Sequence, residues 1–308
     1  MLFFVFLLYG IWSSTFALGK LTLQHCPPLF LTASRMLLAG LLVLAFILLF
    51  RRSSFRLQIK HLIPIALYGF LGMYLTNALE FWSLQYLSAA KTCFLYSLSP
   101  FFAAFFSYLH FGEKMNARKW MGMGIGSCAV IATIFFQSGS DKTLVAFLNF
   151  SWPELAMMGA VLCSIYGWVL LRLLVKDESS NSLTVNGLGM LLGGLFALGH
   201  SFLTDSWSSL SPTNPHFPSF VQGVLLLTLI SNVVCYNFYG WLLKRFTATF
   251  LSFAGLMSPF FASLHEWIFL STPPSPVILC STIIVGLGLW LVYSAELKQG
   301  LVRTIENN

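Results

Sequence analysis

Residues 77–106 read NALEFWSLQYLSAAKTCFLYSLSPFFAAFF, and the rest of the chain is arranged around them. They predict two apolar helices joined by a tight connection near Gln85–Ser88, with Asn77, Glu80 and Lys91 inside or at the rim of the apolar runs. The second half of the stretch returns later. Ser99-Pro100-Phe101-Phe102-Ala103 is repeated letter for letter as Ser258-Pro259-Phe260-Phe261-Ala262, 159 residues on. The same offset pairs Trp82 with Trp241, Leu84 with Leu243, Ala89 with Ala248 and Phe94 with Phe253. Five identities in one run could arise by chance in a Phe-rich chain, but four more in frame point to duplication.

Composition sets the solvent. Of 308 residues 57% are hydrophobic and 9% charged, with a mean hydropathy of +0.80. A soluble domain carries about 25% charged residues, so this chain lacks the polar side chains to cover a globule in water. Its apolar residues come in continuous runs, not in alternating ten-residue segments, so helices are expected rather than a barrel. The net charge of +7 does not call for nucleic acid, because the basic residues fall in short breaks between apolar runs. The six cysteines are scattered without metal or disulfide spacing and read as small packing residues. The first run has no basic leader and no small-residue cleavage site, and is expected to be a retained helix.

Ten apolar segments can be drawn, at roughly 2–21, 29–50, 62–85, 88–110, 118–137, 153–175, 184–203, 220–243, 247–270 and 276–295. With the N-terminus inside, 13 of the 17 Lys and Arg residues fall on the cytoplasmic side: Arg51, Arg52, Arg56, Lys60, Lys114, Arg118, Lys119, Arg172, Lys176, Lys244, Arg245, Lys298 and Arg303. That asymmetry places both termini in the cytoplasm. A second match pairs Met36-Leu37-Leu38 with Met190-Leu191-Leu192 and Gly40 with Gly194, at an offset of 154. Each copy then holds five helices, residues 1–137 and 153–295, with an outer linker at 138–152 and a cytoplasmic tail at 296–308. An odd number per copy forces the second to insert upside down. The expected fold is therefore an all-α membrane protein of ten transmembrane helices in two inverted-topology five-helix repeats, the arrangement of secondary transporters.

Polar groups within the apolar runs are the candidate site. Glu80 costs several kcal/mol in lipid, by order of magnitude, unless it is paired or faces a cavity; an ion pair with Lys91 across the hairpin and a substrate or proton role both fit. Glu266, beside His265, has no basic residue within two turns on its own helix, so it needs a partner from elsewhere, a cavity or a cationic ligand. Arg35 serves either as an anchor to backbone carbonyls or as a fork for a substrate carboxylate. Asn77, Asn232 and Asn237 suit either interhelical hydrogen bonds or ligand contacts. Pro100 and Pro259 predict matched kinks that gate a central cavity. Trp12, Trp82, Tyr86, Tyr96, Tyr166, Trp168, Tyr236, Tyr239 and Trp241 lie near the expected site, where some would stack on a base or surround an onium cation. Glycine runs at 122–126, 187–194 and 286–288 lie in apolar helices and read as packing surfaces. No nucleotide loop, catalytic dyad or metal-ligand spacing is present, so neither an enzyme nor a resident cofactor is expected.

Tyr9-Gly10-Ile11-Trp12-Ser13-Ser14-Thr15-Phe16, then Lys20, Pro27-Pro28 and Arg35, resembles the opening of EamA-type members of the drug/metabolite transporter superfamily. Tyr86-Leu87-Ser88-Ala89-Ala90, Ser99-Pro100, Gly112-Glu113-Lys114 and Trp120-Met121-Gly122 resemble the end of that family's first repeat. The second copy departs from it: Ser271-Thr272-Pro273-Pro274 stands where Gly-Glu is expected. Within the family the chain is similar to the S-adenosylmethionine carriers of obligate intracellular bacteria. The resemblance implies a multi-pass protein of the bacterial inner membrane that takes up S-adenosylmethionine, with S-adenosylhomocysteine as the exchanged partner. Its sulfonium and ammonium would suit Glu80 or Glu266 and aromatic faces, and its carboxylate would suit Arg35 or Lys91. The same inventory also serves a proton-coupled exporter of amino acids or cationic drugs, and a non-transporting membrane scaffold remains as a third class.

Overall fold

Backbone N–H and C=O groups find no water in a bilayer, so unbroken apolar runs must close their hydrogen bonds internally as helices. The computed structural model describes residues 2–52, 55, 58–87, 92, 95–137, 151–176, 180–207, 215–271 and 273–302, without the side chains of 16, 17, 134, 266, 269 and 270. Lys91, the Glu266 side chain, almost all of the 138–152 linker and the last residues of the tail lie outside the described residues.

Among the described residues the regular structure is helical throughout. The helices are α1 (Leu2–Leu23), α2 (Pro28–Phe50), α3 (Ile59–Leu84), α4 (Ser99–Phe111), α5 (Ala117–Gln137), α6 (Trp152–Lys176), α7 (Ser182–Thr204) and α8 (Phe217–Leu242). In α9, Ala248–Ala254 continues through a 3-10 turn, Gly255–Met257, into Ser258–Leu270; α10 is Pro276–Lys298. Eight of these are long and apolar enough to cross a membrane; α4 and α5 stand where the fourth and fifth segments were expected but are not among the eight.

Local chemistry explains the ends. Thr247 accepts from Phe250 N at 3.0 Å at the start of α9, Ser275 from Ile278 N at 3.3 Å at the start of α10, and Asn181 from Leu183 N at 3.2 Å at the start of α7. Pro27 at the start of α2 has no such oxygen, and the Asp205 carboxylate, just past α7, accepts from Phe30 N at 3.1 Å instead. Gly112 ends α4 with φ +64°, where a side chain would be strained. Pro100 and Pro259 do not fall in the interior of an α-helical segment. Each stands in the first turn of a new helical segment, after a turn at Ser97–Leu98 and the 3-10 turn at Gly255–Met257 respectively. Pro is tolerated there because its missing N–H has no intrahelical acceptor.

Two of the most extensive helix pairs among the described residues are α2 with α7 and α5 with α10. A Cβ on Gly40 would lie 2.8 Å from Leu191 N, and a Cβ on Gly194 would lie 2.8 Å from Leu37 N. The contact is therefore reciprocal. At the other pair, a Cβ on Gly122 would stand 2.6 Å from the Gly288 carbonyl oxygen, and one on Gly288 the same distance from that of Gly122. Backbone approach this close is how helices associate where water supplies no driving force. The remaining packing is matched too: α1 lies on α9 as α6 lies on α4, and α3 lies on α6 as α8 lies on α1.

Two π-helical segments interrupt α3 and α8, Gly69–Leu75 and Thr228–Cys235. They begin at the same 159-residue offset as the two Ser-Pro-Phe-Phe-Ala runs. A π turn leaves carbonyls without their usual partner, and side chains answer them: Thr76 Oγ1 donates to Leu71 O at 2.8 Å, Asn77 Nδ2 to Met73 O at 2.7 Å and Asn237 Nδ2 to Val233 O at 2.8 Å. Such segments concentrate at functional sites.

Between α1 and α2, burial first and the Asp205 carboxylate second push the Cys26 thiol up to about 12. The raised value keeps it a thiol well above neutral pH, and only thiolates attack electrophiles. A membrane-impermeant maleimide at pH 8 is expected to leave Cys26 unlabelled in folded protein and to modify it after denaturation, read by mass spectrometry. Rapid labelling of the folded protein would show the loop open.

Candidate functional site

The aromatic part is built by three helices. Trp12 of α1, Trp168 of α6, and Tyr236 and Tyr239 of α8 form one connected ring cluster. Centroids are 4.1 Å apart for Trp168–Tyr239, 5.1 Å for Trp168–Tyr236 and 5.5 Å for Trp12–Tyr236. Tyr9, one turn before Trp12, stacks on it at 6.3 Å and is anchored by a 2.6 Å hydrogen bond from its hydroxyl to Leu251 O. Edge-to-face and tilted contacts of this kind hold rings in place against one another.

Beside the rings lies a polar part. Arg35 of α2 is 4% exposed. Its Nη2 donates to Asn77 Oδ1, its guanidinium lies 4.8 Å over the Phe81 ring, and its Nε has no hydrogen-bond partner. Asn77 is itself held by the Met73 carbonyl released by the π turn. Glu80, one turn on, is half-buried and accepts from the Tyr96 hydroxyl at 2.7 Å. Arg35 and Glu80 are near neighbours without being in ion-pair contact, and Tyr236 lies beside both. The charged pair thus adjoins the ring cluster through Tyr236.

Asn186 of α7, buried, was not picked out from the sequence. It accepts from the Tyr68 hydroxyl at 2.8 Å and donates at 3.0 Å to both Tyr236 O and Asn237 Oδ1, so it fixes α8 beside the rings. Asn232 donates to Met36 Sδ at 3.0 Å and its Oδ1 is unpartnered.

The structure brings together Trp12, Arg35, Asn77, Glu80, Tyr96, Tyr236 and Tyr239, with Asn237 one contact away. It does not bring Trp82 there: that side chain faces outward and packs on Tyr86, itself 62% exposed. Lys91 and the Glu266 side chain lie outside the described residues. His265, next to Glu266 in the sequence, meets Ser13 Oγ at 3.4 Å across α1 and α9. Two shallow apolar grooves, about 600 and about 560 Å³, lie elsewhere, one lined by Met121, Ile125 and Ile284 and the other by Phe217, Val221 and Leu225.

A second charged cluster was invisible in the sequence. Lys119 Nζ lies 3.2 Å from Glu296 Oε1, the two being 1% and 0% exposed, and Thr247 Oγ1 contacts both Glu296 oxygens at 2.7 and 2.8 Å. Arg172 Nη2 pairs with Glu113 Oε1 at 2.6 Å, and the guanidinium covers Phe111 at 4.3 Å. Both pairs join one half of the chain to the other. Lys119 and Arg172, two of the thirteen cations counted on the cytoplasmic side, are each held by a carboxylate, Lys119 fully buried and Arg172 partly so.

A bundle of apolar helices enclosing charged and aromatic side chains is the construction of a multi-pass membrane transporter. Residues 1–135 and 151–294 match the EamA-like transporter family, and the chain belongs to that family. It is 41% identical over 306 residues, 99% of this chain and 95% of the relative, to the S-adenosylmethionine/S-adenosylhomocysteine transporter of Chlamydia muridarum. Identity to the protein of that name from Chlamydia trachomatis serovar L2 is 40%, over 99% and 92% of the two chains. An uncharacterized transporter of Bacillus subtilis is 26% identical over 94% and 90%. One solved crystal structure superposes with a TM-score of 0.76 over 96% of this chain and 97% of its own, at 17% identity, a likeness of fold alone. The family is one of transporters and not of enzymes.

Proposed function

We propose that this protein is a secondary carrier that brings S-adenosylmethionine across a bacterial inner membrane in exchange for S-adenosylhomocysteine. The observation that carries the reading is the buried Arg35–Asn77 pair with Glu80 one turn away, adjoining the cluster of Trp12, Trp168, Tyr236 and Tyr239. Its chemistry matches a ligand with a carboxylate, an ammonium, a sulfonium and a purine. Similarity to the two chlamydial proteins, 41% and 40% identity over 99% of this chain, supports the same cargo.

The accompanying architecture is ten spans in two inverted repeats with both termini cytoplasmic. The reciprocal Gly40–Leu191 and Gly194–Leu37 approaches, the equally offset π segments and the exchange-symmetric helix pairs all support it. In such a carrier the halves rock around a site near the midplane. The ring cluster, packed on itself in this structure, separates to admit the purine.

Proteoliposomes preloaded with S-adenosylhomocysteine are expected to accumulate labelled S-adenosylmethionine without a pH gradient. Uptake that strictly requires a proton gradient and is lost in Glu80→Gln would instead favour the proton-coupled exporter. Trp168→Leu keeps apolar bulk and removes a π face. It is expected to weaken S-adenosylmethionine binding by about 2–30-fold, the range of a cation–π contact, and the uncharged thioether ligand less. Equal loss for both ligands would remove the sulfonium from that face.

A further inference from the structure

We infer that Arg35 and Glu80 grip the two ends of an α-amino-acid head group, Arg35 the carboxylate and Glu80 the ammonium. The assignment rests on reading this cluster as the substrate site. Arg35 is an intramembrane cation whose side-chain partners are a neutral amide and a phenyl face, and whose Nε is buried without a hydrogen bond. Among the described residues no carboxylate lies within ion-pair distance of it. A buried guanidinium left in that state is costly, and an arriving carboxylate removes the cost by engaging its fork.

Contrast the other buried cations. Lys119 and Arg172 each hold a carboxylate in contact. Among the described residues the pair at the ring cluster differs from these in keeping its opposite charges apart, near each other yet not closed into an ion pair. Asn77 and Glu80 lie three residues apart on α3 and so share a face. That face turns toward Arg35 at Asn77 and toward Tyr96 at Glu80. A head group whose carboxylate and ammonium sit on one carbon bridges such a gap, and the rest of the molecule extends past Tyr236 to the rings.

Both proposed cargoes carry the same head group, so this grip is common to inward and outward ligands. Discrimination between them falls to the rings.

The test is a cycle of protein and ligand changes with the purified full chain in nanodiscs, read as dissociation constants. The ligands are S-adenosylmethionine, its decarboxylated form, its deaminated form and S-adenosylhomocysteine. In the unaltered protein, removal of either charged group is expected to weaken binding by about 10–100-fold, the range of a hydrogen bond to a charged group. Arg35→Gln is expected to weaken S-adenosylmethionine by that factor and leave the decarboxylated ligand unchanged. Glu80→Gln is expected to do the same for the deaminated ligand. Arg35→Lys, which keeps the charge and loses the fork, should retain part of the discrimination and guards against a folding defect in the glutamine variant.

Carboxylate discrimination as strong as the parent's in folded Arg35→Gln, undiminished discrimination in Arg35→Lys, or equal loss for both ligands overturns the inference while the cargo stands. If S-adenosylmethionine itself does not bind, the cargo reading fails. The same cycle is then run with the proteinogenic amino acids and their decarboxylated amines, and the inference falls if none binds or if Arg35→Gln leaves their discrimination intact.

Discussion

Lys119→Met is expected to destabilise the protein by about 3–5 kcal/mol, because it leaves the Glu296 carboxylate buried with no cation. Glu296 is wholly enclosed, and Thr247, whose hydroxyl oxygen also accepts from Phe250 N as the N-cap of α9, has a single proton to donate to it. One hydroxyl cannot replace an ammonium. For a chain of this size the loss corresponds to roughly 5–15 °C in the detergent melting temperature. The companion Lys119→Met/Glu296→Leu double variant removes both charges and is expected to recover most of it, since an apolar pair of similar volume is often as good as the ion pair. A single variant as stable as the parent would show that water reaches Glu296. Because this pair and Glu113–Arg172 both tie one half of the chain to the other, transport rates in the double variant also report whether they restrain rocking.

Gly40→Val is the second large effect. The new Cβ meets Leu191 N at 2.8 Å and the Gly187 carbonyl oxygen at 3.0 Å, both backbone atoms that no rotamer change can move. The helices must separate along the most extensive pair in the fold, so the cost lies at or above the ~1–3 kcal/mol usual for overpacking. Gly194→Val should behave alike, since its Cβ would meet Leu37 N. Gly124 has nothing within 4 Å of the same position, and Gly124→Ala is expected to be neutral or to gain up to about 1 kcal/mol from helix propensity. Thermal unfolding of the three variants separates close packing from loss of glycine as such. Equal behaviour of all three would sink the close-approach argument.

Much of the helical layout was legible because hydropathy acts residue by residue. The segment drawn at 29–50 is Pro28–Phe50, and that at 276–295 is Pro276–Lys298. The site was only partly legible. Arg35, Asn77 and Glu80 stood out as polar groups in apolar runs, yet nothing in their spacing said that Arg35 would meet Asn77 and not Glu80. Trp82 looked equivalent to its neighbours and faces outward instead. The π segment at Gly69–Leu75 shifts the phase of α3, so a face extrapolated at 3.6 residues per turn is wrong beyond it. The ion pairs of Lys119 and Arg172 were not legible for a different reason. A basic residue near a helix end looks the same in sequence whether it faces water or a carboxylate from a distant part of the chain, as Glu296 is for Lys119 and Glu113 for Arg172.

The amino-acid order alone therefore determined the solvent, the helices and the inventory of charges available inside the membrane, since all of these follow from local apolarity. Tertiary structure alone decided which charges meet and which rings gather. Those outcomes depend on helix rotation and on backbone approach between segments distant in the chain, and neither is written in any single segment.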